Sequence, residues 1–118
     1  MKLSEIKNIL SAYYILENDK EIEILTACGA DLMSDVLAFT KGKSLLLTGL
    51  TNPQVIRTAE MIDLSVVIFV RGKIPPQETI NLAKQKELPL LVTDKPLYEA
   101  CGLLYKYGLN AEKLSKFQ

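Results

Sequence analysis

The 118-residue sequence has no histidine, no tryptophan, only two cysteines and no excess charge of either sign, with 14 basic against 14 acidic side chains. Each absence excludes something. Without histidine there is no Ser-His or Cys-His nucleophile pair, and both the usual general base near neutrality and the commonest zinc ligand are missing. Without net charge there is no field to draw in nucleic acid or an anionic lipid surface, so neither a nucleic-acid nor a membrane partner is expected. No apolar run approaches the length that spans a bilayer, and MKLSEIKNIL lacks the apolar core of a signal peptide. The chain reads as cytoplasmic. Cys28 and Cys101 are far apart and read as free thiols in a reducing compartment.

What is present is enough apolar material, 48% of residues, to close one hydrophobic core in a chain of common domain size. The expectation is a single domain over residues 1–118, with 110–118 as a weakly structured tail in which Leu114 and Phe117 seek cover. Leu3, Ile6, Ile9 and Leu10 fall at helical spacing, with Ser4 as the cap. The segment AYYIL, then Asn18 and Asp19 as turn formers, then EIEILT with alternating Glu21, Ile22, Glu23 and Ile24, reads as a hairpin-like or edge element. In DLMSDVLAF, Leu32, Val36 and Phe39 form one helical stripe with Met33 and Leu37 beside it. Lys41 and Gly42 would end that helix with a cationic last turn and a left-handed cap.

The remainder has a regular rhythm. SLLLT at 44–48, SVVIFV at 65–70 and LPLLV at 88–92 are nearly continuous apolar runs, as strands covered on both faces require. Each is followed by a helical pattern, opened by Thr51-Asn52-Pro53, by Pro75-Pro76 and by Pro96; the last stops at Gly108, in the place of a C-terminal cap. Strands alternating with helices predict an α/β fold whose mostly parallel sheet is flanked by helices.

In such a sheet a ligand crevice lies beyond the carboxyl ends of the strands. The candidate ligand-binding residues are therefore those that follow the apolar runs: Thr48, Gly49, Thr51 and Asn52, with Arg57 one turn into the next helix, then Arg71 and Gly72, then Thr93 and Asp94. Gly49 permits close backbone approach, and Thr51 or Asn52 can cap a helix whose free N–H groups welcome an anion. Ordinary turn and cap chemistry accounts for the same residues. A secondary set is Cys28, Asp31, Ser34 and Asp35. Cys28 stands at a strand-to-helix junction, where a thiol's pKa is easily perturbed. Asp31 and Asp35, four residues apart, share a helical face, although Asp31 reads first as an N-cap and Asp35 as a solvated residue. No catalytic residue, metal site or cofactor is expected. Gly42-Lys43-Ser44 resembles the end of a phosphate-binding loop but fails, because that motif needs glycine where Leu37 stands and must open a helix, not a strand.

Four stretches, ACGADLMSDVLAF, SLLLTGLTNPQVIRTAEM, VVIFVRGK and LPLLVTDKPLYEACGLLYKYGL, together resemble the DRTGG domain over nearly the whole chain. The resemblance is greatest to stand-alone versions found near genes for iron-only hydrogenases, with relatives fused to CBS-domain pyrophosphatases and phosphotransacetylases. It implies a fold similar to the N-terminal domain of HPr kinase/phosphorylase, self-association as a homodimer, and a regulatory role toward a partner enzyme. The kinase's phosphate-loop domain is absent, so kinase activity is not implied. The namesake motif is degraded: Asp19-Lys20-Glu21-Ile22 stands where its Asp-Arg begins, and Gly29 is the one glycine near its end.

The expected function is a non-catalytic regulatory or ligand-sensing module for a small anionic or nucleotide-like ligand. The alternatives are a structural association domain without ligand, and a redox or metal accessory protein using Cys28.

Overall fold

The computed structural model of the protein describes residues 1–113. Five helices and five strands follow one another as α1 (Leu3–Leu10), β1 (Tyr13–Leu16), β2 (Thr26–Gly29), α2 (Met33–Phe39), β3 (Ser44–Thr48), α3 (Pro53–Met61), β4 (Val66–Phe69), α4 (Gln77–Gln85), β5 (Leu90–Val92) and α5 (Leu97–Lys106). The sheet order is β1-β5-β4-β3-β2. Strands β2 to β5 run parallel, and β1 alone is antiparallel, against β5.

The unbroken apolar runs are explained by two cores, one on each sheet face. Leu45, Leu47, Val66, Ile68 and Leu91 face α1 and α5, where they meet Ile6, Leu10, Ala100 and Leu104. Their neighbours Leu46, Val67, Phe69, Leu90 and Val92 face α2, α3 and α4 and meet Val36, Val55, Ile56 and Ala83. Side chains alternate across a strand, so a strand between two helical layers is apolar on both faces along its middle, and its polar residues fall at the ends, as Ser44 and Thr48 do in β3.

Four of the five helix ends, all but that of α2, share one device. After α1, α3, α4 and α5, a residue with positive φ (Ser11, Asp63, Glu87 and Gly108) is followed by an apolar residue, Ala12, Leu64, Leu88 or Leu109, that is buried. The N–H of that apolar residue bonds to the carbonyl five residues earlier (Lys7, Ala59, Ala83 or Leu104) at 2.9 Å in every case. This is a Schellman end, in which the left-handed residue turns the chain and the next side chain anchors it.

The structure departs from the sequence reading at several places near the first strands. No hairpin forms: β1 and β2 lie at opposite edges of the sheet, and the Glu21–Leu25 segment instead runs beside α1, through Leu3 N–H to Ile22 C=O at 2.9 Å and Ile24 N–H to Met1 C=O at 2.8 Å. The alternation was a true sign of one dry face, since Ile24 is fully buried while Glu21 and Glu23 are exposed, but a period of two does not name a partner strand. Ser4 lies inside α1 and donates its hydroxyl to Glu21 at 2.9 Å; the N-cap is Lys2.

Helix α2 is capped by Leu32 without a side-chain bond. It ends at an extended Thr40, with no basic residue in its last turn, and the left-handed residue nearby is Lys43, not Gly42. Its stripe is also narrower than expected: Val36 is buried, whereas Leu32 and Phe39 are about half exposed or more. With seven residues, α2 has room to bury little more than one turn's anchor. Leu114 and Phe117 lie outside the described residues. Among the described residues no helix is long and apolar enough to cross a membrane.

Candidate functional site

The parallel strands bring four loops to one edge. Ala30 and Asp31 follow β2, Gly49 to Asn52 follow β3, Val70 to Lys73 follow β4, and Thr93 to Lys95 follow β5. Two fully buried threonines, Thr48 at the end of β3 and Thr93 just after β5, lie at this edge and hold what comes next. The Thr48 hydroxyl donates to Asp31 Oδ1 at 2.9 Å and accepts the Leu50 N–H at 3.2 Å. The Thr93 hydroxyl donates to the Leu10 carbonyl at 2.7 Å and accepts the Lys95 N–H at 3.3 Å.

Asp31 is not the N-cap of α2. The same Oδ1 that accepts from Thr48 also accepts the Gly49 N–H at 2.8 Å, so this carboxylate pins the loop after β3 to the loop after β2. Asn52 does act as a cap, taking the Gln54 N–H at 3.1 Å with Pro53 in the first turn of α3. The Thr51 carbonyl accepts the hydroxyl of the buried Thr79 at 2.7 Å, which fastens the same loop to α4. Nothing in the sequence marks Thr79 for this, because a threonine in a helix more often bonds within its own turn.

Arg71 is the most unusual residue here. Its backbone is left-handed, with φ of 57°, and its N–H is held by the Lys95 carbonyl at 2.9 Å while the N–H of Gly72 is held by the Thr93 carbonyl at 2.9 Å. That geometry lays the guanidinium against Gly49: a Cβ there would lie 2.5 Å from Nη2 and 3.0 Å from Cζ. Any side chain at position 49 would displace it. The exposed Arg71 makes no ion pair among the described residues. On the other side of the turn, Asp94 Oδ1 lies 3.0 Å from where a Cβ of Gly72 would be. Arg71, Gly72 and Asp94 thus form a ridge over the buried Thr48, Gly49 and Thr93, with Thr51 and Asn52 at its border.

Other candidates stand apart. Arg57 is exposed on α3, and no hydrogen bond or ion pair among the described residues joins it to the loops. Ser34 and Asp35 are exposed on α2, likewise without side-chain bonds among those residues, and no group of three metal-binding side chains occurs there. Cys28 packs with the α2–α4 layer and Cys101 with the α1/α5 layer, so the two thiols fall on opposite faces of β2. Both are free. Burial pushes the Cys101 thiol up from its ordinary value, and the proximity of Cys28 adds to this.

These features define a small α/β domain with a mostly parallel five-stranded sheet flanked by helices and a polar, glycine-containing ridge at the carboxyl edge of its strands. Its fold is similar to that of the CBS and DRTGG domains of the regulatory region of Clostridium perfringens pyrophosphatase, solved in complex with the activator diadenosine tetraphosphate; the TM-score is 0.75 at 19% identity, over 95% of this chain and 51% of that one. The chain spans about half the length of that neighbour. No family model matches the sequence, and no curated protein matches it.

Proposed function

We propose that this chain is a non-catalytic regulatory module of the DRTGG type that senses a small anionic or nucleotide-like ligand at the carboxyl edge of its sheet. In this reading it acts as a homodimer on a metabolic partner enzyme, a hydrogenase-related one being the candidate that the resemblance suggests. The observation that carries the reading is Arg71, a cation held over the Gly49 backbone by a left-handed turn and free of any carboxylate partner among the described residues. A guanidinium lying there presents planar donors that match the geometry of phosphate oxygens. The fold neighbour's capture with a nucleotide activator supports the ligand class.

The test is thermal denaturation and calorimetric titration with inorganic phosphate, AMP, ATP and diadenosine tetraphosphate, each against adenosine as the uncharged control. Binding of a phosphorylated compound that falls at least tenfold in Arg71→Gln is expected. If none of the four raises Tm, or if Arg71→Gln binds as the parent does, sensing at this edge is wrong.

A second reading, an association domain without ligand, is favoured by apolar side chains left in solvent on α2 and α5, among them Leu37, Phe39, Tyr98 and Tyr105. It predicts self-association with no ligand response.

A further inference from the structure

The outer face of α5 is built unlike the other helical surfaces. Tyr98 is 91% exposed and Tyr105 is 67% exposed, and Gly102 lies between them in mid-helix. Among the described residues a Cβ at Gly102 would meet nothing within 4 Å. Glycine disfavours a helix, and no contact among those residues calls for it here. At Gly29 a Cβ would strike the Cys101 sulfur, and at Gly49 it would strike Arg71. Among the described residues Gly102 has no such neighbour, and its absent side chain leaves room for a close approach. The shallow depression over it, about 600 Å³, is lined by Tyr98, Glu99, Cys101, Gly102, Tyr105 and Lys106 among others.

The arrangement is self-complementary. At 100° and 1.5 Å per residue, Tyr98 and Tyr105 fall on one flank of Gly102, and Glu99 and Lys106 fall on the other. Glu99 stands roughly 4.5 Å to one side of Gly102 along the axis, and Lys106 roughly 6 Å to the other. Set a second α5 antiparallel to the first, with a two-fold axis at Gly102. Each Glu99 then stands at nearly the height of the Lys106 of the other copy, on the same flank, and each Tyr98 stands beside the other copy's Tyr105. Two opposite-charge pairs and two aromatic pairs form at once, and the helix dipoles run opposed. Among the described residues Glu99 has only a long contact to Lys95, at 3.9 Å, which leaves its carboxylate open to a second partner.

We infer that α5 is the homodimer interface, pairing antiparallel with α5 of a second copy about Gly102. This rests on the reading that the module self-associates, and it adds the surface, the axis and the contacts. The contact is centred on one ten-residue helix, and a reversible dimer is expected.

Sedimentation equilibrium of the full chain, from about 1 to 500 μM, reads the state directly, a range that brackets the micromolar affinities of small interfaces. Gly102→Gln is expected to weaken dimerisation at least tenfold without loss of helix signal, because glutamine is the better helix former. Glu99→Lys and Lys106→Glu should each weaken it, and the double exchange Glu99→Lys/Lys106→Glu should restore it, a rescue that misfolding cannot imitate. A parent chain that stays monomeric throughout overturns both the self-association reading and this interface. A dimer indifferent to Gly102→Gln, or not rescued by the double exchange, overturns the interface alone and leaves self-association standing through another face.

Discussion

Asp31 has the sequence position of a helix cap and the structural role of a clamp. Its Oδ1 receives both the Thr48 hydroxyl and the Gly49 N–H, and Gly49 is the residue under Arg71. Asp31→Ala would leave two donors without their acceptor and is expected to destabilise the fold by about 1–3 kcal/mol. Asp31→Asn, whose amide oxygen accepts in the same place, should recover most of that loss. Urea denaturation of the two variants separates an acceptor role from a charge role, and equal losses would mean that the charge itself matters. The thiols offer a second test at this scale. Burial raises the Cys101 pKa, so its thiolate, the reactive form, is scarce at neutral pH and grows only as pH rises beyond the ordinary thiol range. Alkylation followed by mass spectrometry from pH 7 to 10 should therefore show slow labelling of Cys101 with a late pH rise. Rapid labelling at pH 7 would contradict the burial. Of the ridge, Gly49 and Arg71 were legible as residues following apolar runs, because the carboxyl edge of a parallel sheet is fixed by topology. The use of Asp31 was not, since its partners lie 17 and 18 positions away and only the folded sheet brings them near.

Strands β3, β4 and β5 and the helices that follow them could be read almost to their ends, because apolar runs bounded by proline and by turn residues leave few alternatives. The ends of α3 and α4 could not. Their left-handed residues are Asp63 and Glu87, not glycine, and only Gly108 of α5 advertised itself. Such residues accept an unfavourable φ because the buried Leu64 or Leu88 beyond them, with its bond back into the helix, outweighs it. Asp63→Gly and Glu87→Gly should each stabilise the protein by about 0.5–1 kcal/mol, relief of the left-handed strain being offset in part by the greater freedom of glycine in the unfolded chain. Gly108→Ala, at φ of 105°, should destabilise it. Thermal melts of the three variants check the signs, and a loss of stability in Asp63→Gly would show that its carboxylate does more than turn the chain. The misread hairpin has the same origin as the missed caps. Local pattern reports which side of a segment is dry and where it bends, but the partner of β1 is β5, some 75 residues on, chosen because its apolar edge was still open.

The two cores meet through the sheet, and the inner strand β3 carries both. Leu46 points to α2, α3 and α4, and Leu47 points to α1 and α5; both are fully buried. A sheet covered on one face alone would expose an unbroken apolar surface on the other, so neither helical layer is stable without its opposite. The chain should thus unfold in one cooperative step. Leu46→Ala and Leu47→Ala, each leaving a cavity, are expected to cost about 2–5 kcal/mol apiece, and in both variants the whole molecule should melt together, not the layer that lost the side chain. Far-UV circular dichroism reports all the helices, while tyrosine fluorescence, undisturbed by tryptophan in this sequence, includes Tyr14 packed against the α1/α5 core. Coincident urea transitions from the two signals in both variants are the expected result. If Leu46→Ala separated them, the α1/α5 layer would be holding β3 without help from the other face. The ridge of Arg71 and Asp94 over Gly49, which spans the loops of β3, β4 and β5, would then rest on half of the molecule, and a ligand bound there would protect only that half from denaturant.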